Sequence, residues 1–111
     1  LKELVNLASD YNLDVLYEVH NEEDIEKGIS AGVRIFGVNN RDLSNFHVSN
    51  KNILDIHKKI PSDSILISES GISTPSDIST LRKEGIRNFL IGESLMKSNN
   101  RKKFIKELIK A

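Results

Sequence analysis

Four short apolar runs, each separated from the next by a stretch with helical period, set the architecture of this chain. The runs are Val15-Leu16-Tyr17, Ile35-Phe36-Gly37-Val38, Ile65-Leu66-Ile67 and Phe89-Leu90-Ile91. Strands that are apolar on consecutive positions, rather than on alternate ones, belong to parallel sheets covered by helices. The stretches between them supply those helices. Residues 22–31 follow a cap candidate, Asn21, with Asp24 three residues on and Ile25 and Ile29 inside. Residues 50–60 place Ile53, Leu54, Ile56 and Ile60 on one side, after a cap candidate at Ser49. Residues 75–84 open with Thr74-Pro75, a cap and a first-turn proline. Residues 100–110 carry Phe104, Ile105, Leu108 and Ile109 on one face and Lys102, Lys103, Lys106 and Lys110 largely elsewhere. Gly32 and Gly85 stand where helices stop.

A weak internal repeat supports this reading. Ala31-Gly32-Val33-Arg34-Ile35-Phe36 returns 53 residues later as Glu84-Gly85-Ile86-Arg87-Asn88-Phe89, two strand–helix units on. Leu1, Leu4, Val5 and Ala8 add a helix in front, already under way at Leu1 and with no cap before it. The predicted order is α(βα)₄, a single α/β unit over residues 1–111 with no linker or second domain. Four such units are half of a (β/α)₈ TIM barrel, whose full length is about 250 residues. The first residue is Leu1 and the single methionine is Met96, so the chain reads as a piece of a longer protein. An open flavodoxin-like sheet is the alternative, but no G-x-G-x-x-G or P-loop follows the first strand.

The 16 basic and 16 acidic side chains cancel. A nucleic-acid or membrane-surface binder would need a basic excess. There is no cysteine, which excludes disulfides and thiolate metal sites and is compatible with a cytoplasmic setting. No apolar run reaches the roughly 18 residues of a membrane span.

In parallel α/β folds the chemistry lies at the carboxyl ends of the strands. Read in order, those ends carry Glu18, Asn39, Glu69-Ser70 and Gly92-Glu93. Glu18 has the apolar neighbours Tyr17 and Val19, which can raise a carboxyl's pKa and suit it to acid–base work. A glutamate on an exposed edge strand would show the same pattern. Asn39 could orient a substrate, and Arg41 could bind a carboxylate or phosphate through its fork. An Asn-rich turn with a surface Arg41–Asp42 pair is the plainer account. Gly71 and Gly92, 21 residues apart, end neighbouring strands ahead of helix starts. Such corners let backbone N–H groups approach a phosphate, although glycines also serve tight turns alone. His20 falls in a helix-entry loop, and His47 and His57 have no third ligand nearby, so no metal is expected.

Together the strand ends resemble indole-3-glycerol phosphate synthases. The resembling blocks are Leu16-Tyr17-Glu18-Val19-His20, Phe36-Gly37-Val38-Asn39-Asn40-Arg41-Asp42-Leu43, Ser68-Glu69-Ser70-Gly71-Ile72 and Leu90-Ile91-Gly92-Glu93-Ser94-Leu95-Met96. The second block is the most specific. The resemblance implies the fifth to eighth strands of the barrel, a lyase of tryptophan biosynthesis, and no cofactor. The implied reaction is ring closure of 1-(2-carboxyphenylamino)-1-deoxyribulose 5-phosphate with loss of carbon dioxide and water. It implies Glu18 as the proton-transfer group and Asn39 as the residue that positions substrate and catalytic side chains. Arg41, Glu69 and Ser70 would contact substrate, and Gly71, Gly92 and Glu93 would hold phosphate. The alternatives are another phosphate-binding barrel enzyme, or a non-catalytic α/β domain for a phosphorylated ligand.

The family's catalytic lysines and its first glutamate lie on the first and third strands, ahead of the part resembled. No lysine here stands at a strand end to replace them. The expectation is an inactive fragment whose partner is the N-terminal half of the barrel. Its open sheet edges and uncovered core face also favour self-association.

Overall fold

The computed structural model describes residues 1–40 and 51–111. The cap candidate Ser49, Arg41 and His47 lie outside the described residues. Helix α1 spans Lys2–Asp10, and strand β1, Leu16–Val19, follows it. Helix α2 (Glu22–Ser30), strand β2 (Ile35–Asn39) and helix α3 (Lys51–Ile56) come next. Strand β3 (Ile65–Glu69), helix α4 (Pro75–Lys83) and strand β4 (Phe89–Leu90) continue the alternation. Helices α5 (Glu93–Lys97) and α6 (Arg101–Lys110) close the chain. The strands pair in chain order, all parallel. This is α/β architecture with the strand order of half a barrel.

The pairing register divides the side chains between two faces. Tyr17, Phe36 and Leu66 are level with one another, as are Val19, Val38, Ser68 and Phe89. This face packs under the helices, on Ile25, Ile53, Ile78, Leu81 and Leu108. Gly28 lets α2 press onto it, since a Cβ there would stand 2.7 Å from Phe36 Cε1 and 2.8 Å from the Tyr17 ring. On the other face Leu16, Ile35 and Ile65 are level, followed by Glu18, Gly37 and Ile67, then Asn39, Glu69 and Leu90. None of those apolar residues belongs to the core, and Leu16, Ile65 and Leu90 are 44%, 50% and 54% exposed. The polar end of this open face is the carboxyl end of the sheet.

Local chemistry explains the helix boundaries. Asn21 Oδ1 accepts the Asp24 N–H at 2.8 Å, and Thr74 with Asp77 forms a reciprocal capping box. Gly32 and Gly85 take φ of +81° and +85° after α2 and α4. Two kinds of boundary differ from expectation. The helix over 50–60 is α3 followed by a 3₁₀ turn, His57–Lys59, because Ile60 precedes Pro61 and must be extended. Glu18, Asn39 and Glu69 lie within their strands rather than after them. The ladder to the neighbouring strand, not the end of the apolar run, sets where each strand stops.

Candidate active site

β3 turns out of the sheet through Ser70 and Gly71, whose φ angles are +63° and +77°. Glycine adopts this region freely, whereas a side chain there costs about 1–2 kcal/mol. Such strain persists where surrounding contacts fix it, and it concentrates at functional sites. Ser70 is fixed at two atoms. Its carbonyl accepts from Asn40 Nδ2 at 3.3 Å, and its Oγ donates to Asn39 Oδ1 at 3.2 Å. Asn39 in turn donates from Nδ2 to Glu18 Oε1 at 2.9 Å. Residues from two strands and from the corner after the third thus form one chain of hydrogen bonds.

Glu69 lies beside that chain, 5% exposed. Burial, then the neighbouring Glu18 charge, then a hydrogen bond between the two carboxyl groups push it up to about 7. A hydrogen bond between two carboxyl groups needs a proton on one of them, and this favours the protonated form of Glu69. Gly37 makes room for this pair. A Cβ on Gly37 would stand 2.8 Å from Glu69 Cδ and 3.1 Å from Leu16 Cδ1. A near-neutral carboxyl next to a second carboxylate is suited to taking and returning a proton.

A cleft of about 1000 Å³ opens from this network toward β4. Asn39, Glu69, Ser70, Gly71, Gly92 and Glu93 all line it. The corners after β3 and β4 are tied by Ser94 Oγ, which donates to the Ile72 carbonyl at 2.6 Å. Gly92 differs from Gly71. Its φ is −126°, and a Cβ built on it would meet nothing within 4 Å. Neither backbone nor packing demands glycine there, so what remains is open space against the cleft. The helix it opens, α5, has no side-chain cap hydrogen bond from its N-cap residue, Gly92. The Glu93 carboxylate is balanced by Lys97 at 2.8 Å, and Lys97 also lines the cleft.

Seven of the eight sequence-predicted site residues therefore meet in one place, and Arg41 lies outside the described residues. Sequence reading missed Gly37, Asn40, Ser94 and Lys97. Only Lys97 had a signal, its i,i+4 spacing from Glu93 on a helix. His20 and His57 stand apart. The His20 N–H donates to Asp24 Oδ2 at 2.9 Å, and His57 Nδ1 lies 3.0 Å from the Ile53 carbonyl. Among the described residues no cluster of three or more His, Cys, Asp or Glu could hold a metal ion. No helix there is long and apolar enough to cross a membrane.

Comparison with known proteins covers nearly the whole chain. The family described as indole-3-glycerol phosphate synthase matches residues 1–108. An indole-3-glycerol phosphate synthase of Caldanaerobacter subterraneus subsp. tengcongensis is 46% identical over 110 residues, 99% of this chain and 42% of the relative. That of Lachnoclostridium phytofermentans is 43% identical over 104 residues, 94% of this chain and 38% of the relative. The chain thus spans about two fifths of the length of these relatives. Among solved structures, the crystal structure of the Amycolatopsis orientalis BexX/CysO complex holds a chain with TM-score 0.73. It is 14% identical and is matched over 98% of this chain and 45% of that one, a likeness of fold alone. The family match over nearly the whole length, joined to relatives above 40% identity, makes this chain a member of the indole-3-glycerol phosphate synthase family.

Proposed function

We propose that this chain is the phosphate-holding, C-terminal half of an indole-3-glycerol phosphate synthase. The reaction is closure of the pyrrole ring of 1-(2-carboxyphenylamino)-1-deoxyribulose 5-phosphate, with release of carbon dioxide and water. The observation that carries this reading is the single cleft in which the Glu18–Asn39–Ser70 bonds and Glu69 meet the Gly71 and Gly92 corners. Backbone N–H groups of Gly71, Gly92 and Glu93 hold the phosphate. Glu18 transfers protons during ring closure and dehydration, and Asn39 orients it. Glu69 and Ser70 border the aromatic ring, and Arg41 supports the substrate.

Proton donation to the leaving hydroxyl and binding of the substrate carboxylate need lysines that no strand end among the described residues supplies. Those roles belong to an N-terminal half that completes the barrel, and the 111-residue chain alone forms no product at enzymatic rates. The absence of cysteine suits the reducing cytoplasm, where we place the protein.

Two measurements test this. Inorganic phosphate added to the ¹⁵N-labelled chain should shift the Gly71, Gly92 and Glu93 amides before others, and a response elsewhere would refute the grip. In a chain joined to its N-terminal half, Glu18→Gln should lower kcat about a hundredfold or more. Retained activity would remove Glu18 from the mechanism.

A further inference from the structure

Asn40 is absent from the lining of the cleft, yet it bonds three successive residues, Ser68, Glu69 and Ser70, that lead into the corner. It is 5% exposed, and its side chain is bonded at both ends. Nδ2 lies 3.2 Å from Ser68 Oγ, 3.1 Å from the Glu69 carbonyl and 3.3 Å from the Ser70 carbonyl. Oδ1 accepts the Ile53 N–H in the first turn of α3 at 3.2 Å. The backbone N–H of Asn40 adds a bond to the Glu69 carbonyl at 3.0 Å. Only a carboxamide offers both two N–H donors and an acceptor at this reach. Aspartate would lose the donors and set a charge against three oxygens.

The geometry has a direct consequence for the corner. A peptide unit is planar and trans, so its C=O and N–H point in opposite directions. Holding the Glu69 carbonyl turns the Ser70 N–H away from Asn40, and holding the Ser70 carbonyl does the same for Gly71. We infer that Asn40 is the positioning residue of this site. It fixes the strained corner so that the Gly71 N–H, beyond the last ladder pair Glu69–Leu90, faces an oxyanion in the cleft and the Glu69 carboxyl stays against Glu18. The oxyanion arm rests on the proposed phosphate role, and the Glu69 arm does not.

The test uses the ¹³C,¹⁵N-labelled chain, its Asn40→Ala variant, and Asn100→Ala as a control that loses only the α6 cap at Lys103 N–H. Among the described residues, the ionisable groups around Glu69 are Glu18 on β1 and, along the cleft, Asp77 on α4 and Glu93 and Lys97 on α5. Site-resolved carboxyl shifts separate Glu69 from them. In Asn40→Ala the Glu69 midpoint should fall by about one pH unit or more as the carboxyl leaves its buried place. The Gly71 amide should need about threefold or more inorganic phosphate for the same shift. Asn100→Ala should change neither. A folded Asn40→Ala variant with the parent's midpoint would overturn the inference, including one that merely lost thermal stability as the control does. If Asn40→Ala does not fold, the parent's own Asn40 NH₂ resonances decide. They should move with the Glu69 titration, and resonances that ignore it would overturn the inference. Should phosphate leave Gly71 unmoved in the parent, the phosphate role fails while the Glu69 midpoint still judges Asn40.

Discussion

Burial and the Glu18 carboxyl act on Glu69 in the same direction, and the result is a pH-dependent fold. Its folded midpoint of about 7 lies above the ordinary glutamate value. Between the two, the folded state keeps a proton that the unfolded chain has released. Stability from Glu69 is therefore full below about pH 4 and is lost as pH rises through about 7. Urea unfolding across that range should show the decline, and Glu69→Gln should flatten it. An unchanged slope in the variant would assign the effect elsewhere. Gly37→Ala should destabilise by about 1–3 kcal/mol, because the new methyl overlaps the Glu69 carboxyl, and should also lower the Glu69 midpoint. Glu69 and Asn39 were legible because polar residues directly after apolar runs mark strand ends. Gly37 and Asn40 were not, because their partners lie on the next strand, 28 to 30 residues away for Asn40.

At the scale of elements, the helices were legible from period and caps, both of which are local. Thr74 Oγ1 receives the Asp77 N–H at 3.3 Å, and Asp77 Oδ2 receives the Ser73 and Thr74 N–H groups at 2.9 and 3.0 Å. Burial pulls the Asp77 carboxyl up, but these backbone and hydroxyl donors outweigh it and hold the group below its ordinary value. Thr74→Ala should cost about 1 kcal/mol in denaturant unfolding, and a loss near zero would show that the box is ornamental. Strand ends were less legible, since pairing across the sheet carries β1 through Glu18 to Val19.

The whole molecule has one dressed face and one bare face. Helices cover Tyr17, Val19, Phe36 and Val38, while Leu16, Ile65 and Leu90 stand open between the edge strands β1 and β4. Helix α1 repeats the theme, with Leu4 68% and Leu7 52% exposed. An open apolar face beside two strand edges with no partner strand among the described residues favours association, and we propose that this chain self-associates. Sedimentation equilibrium should give a mass above the 12.5 kDa of one chain. Ile65→Lys should shift it toward monomer with the helical signal intact. A clean monomer with a sharp unfolding transition in the parent chain would sink this expectation.

What the sequence determined by itself is what short-range physics encodes: four parallel strands, capped helices between them, and polar strand ends with glycine corners. Period, caps and turn chemistry act within a few residues and leave their mark in the order of the chain. Only the tertiary structure decided that Glu69 lies against Glu18, that Gly37 clears the space for it, and that Asn40 holds the corner. Those contacts join residues brought level by the register of neighbouring strands, and a carboxyl's pKa or a strained φ exists only once its neighbours are in place.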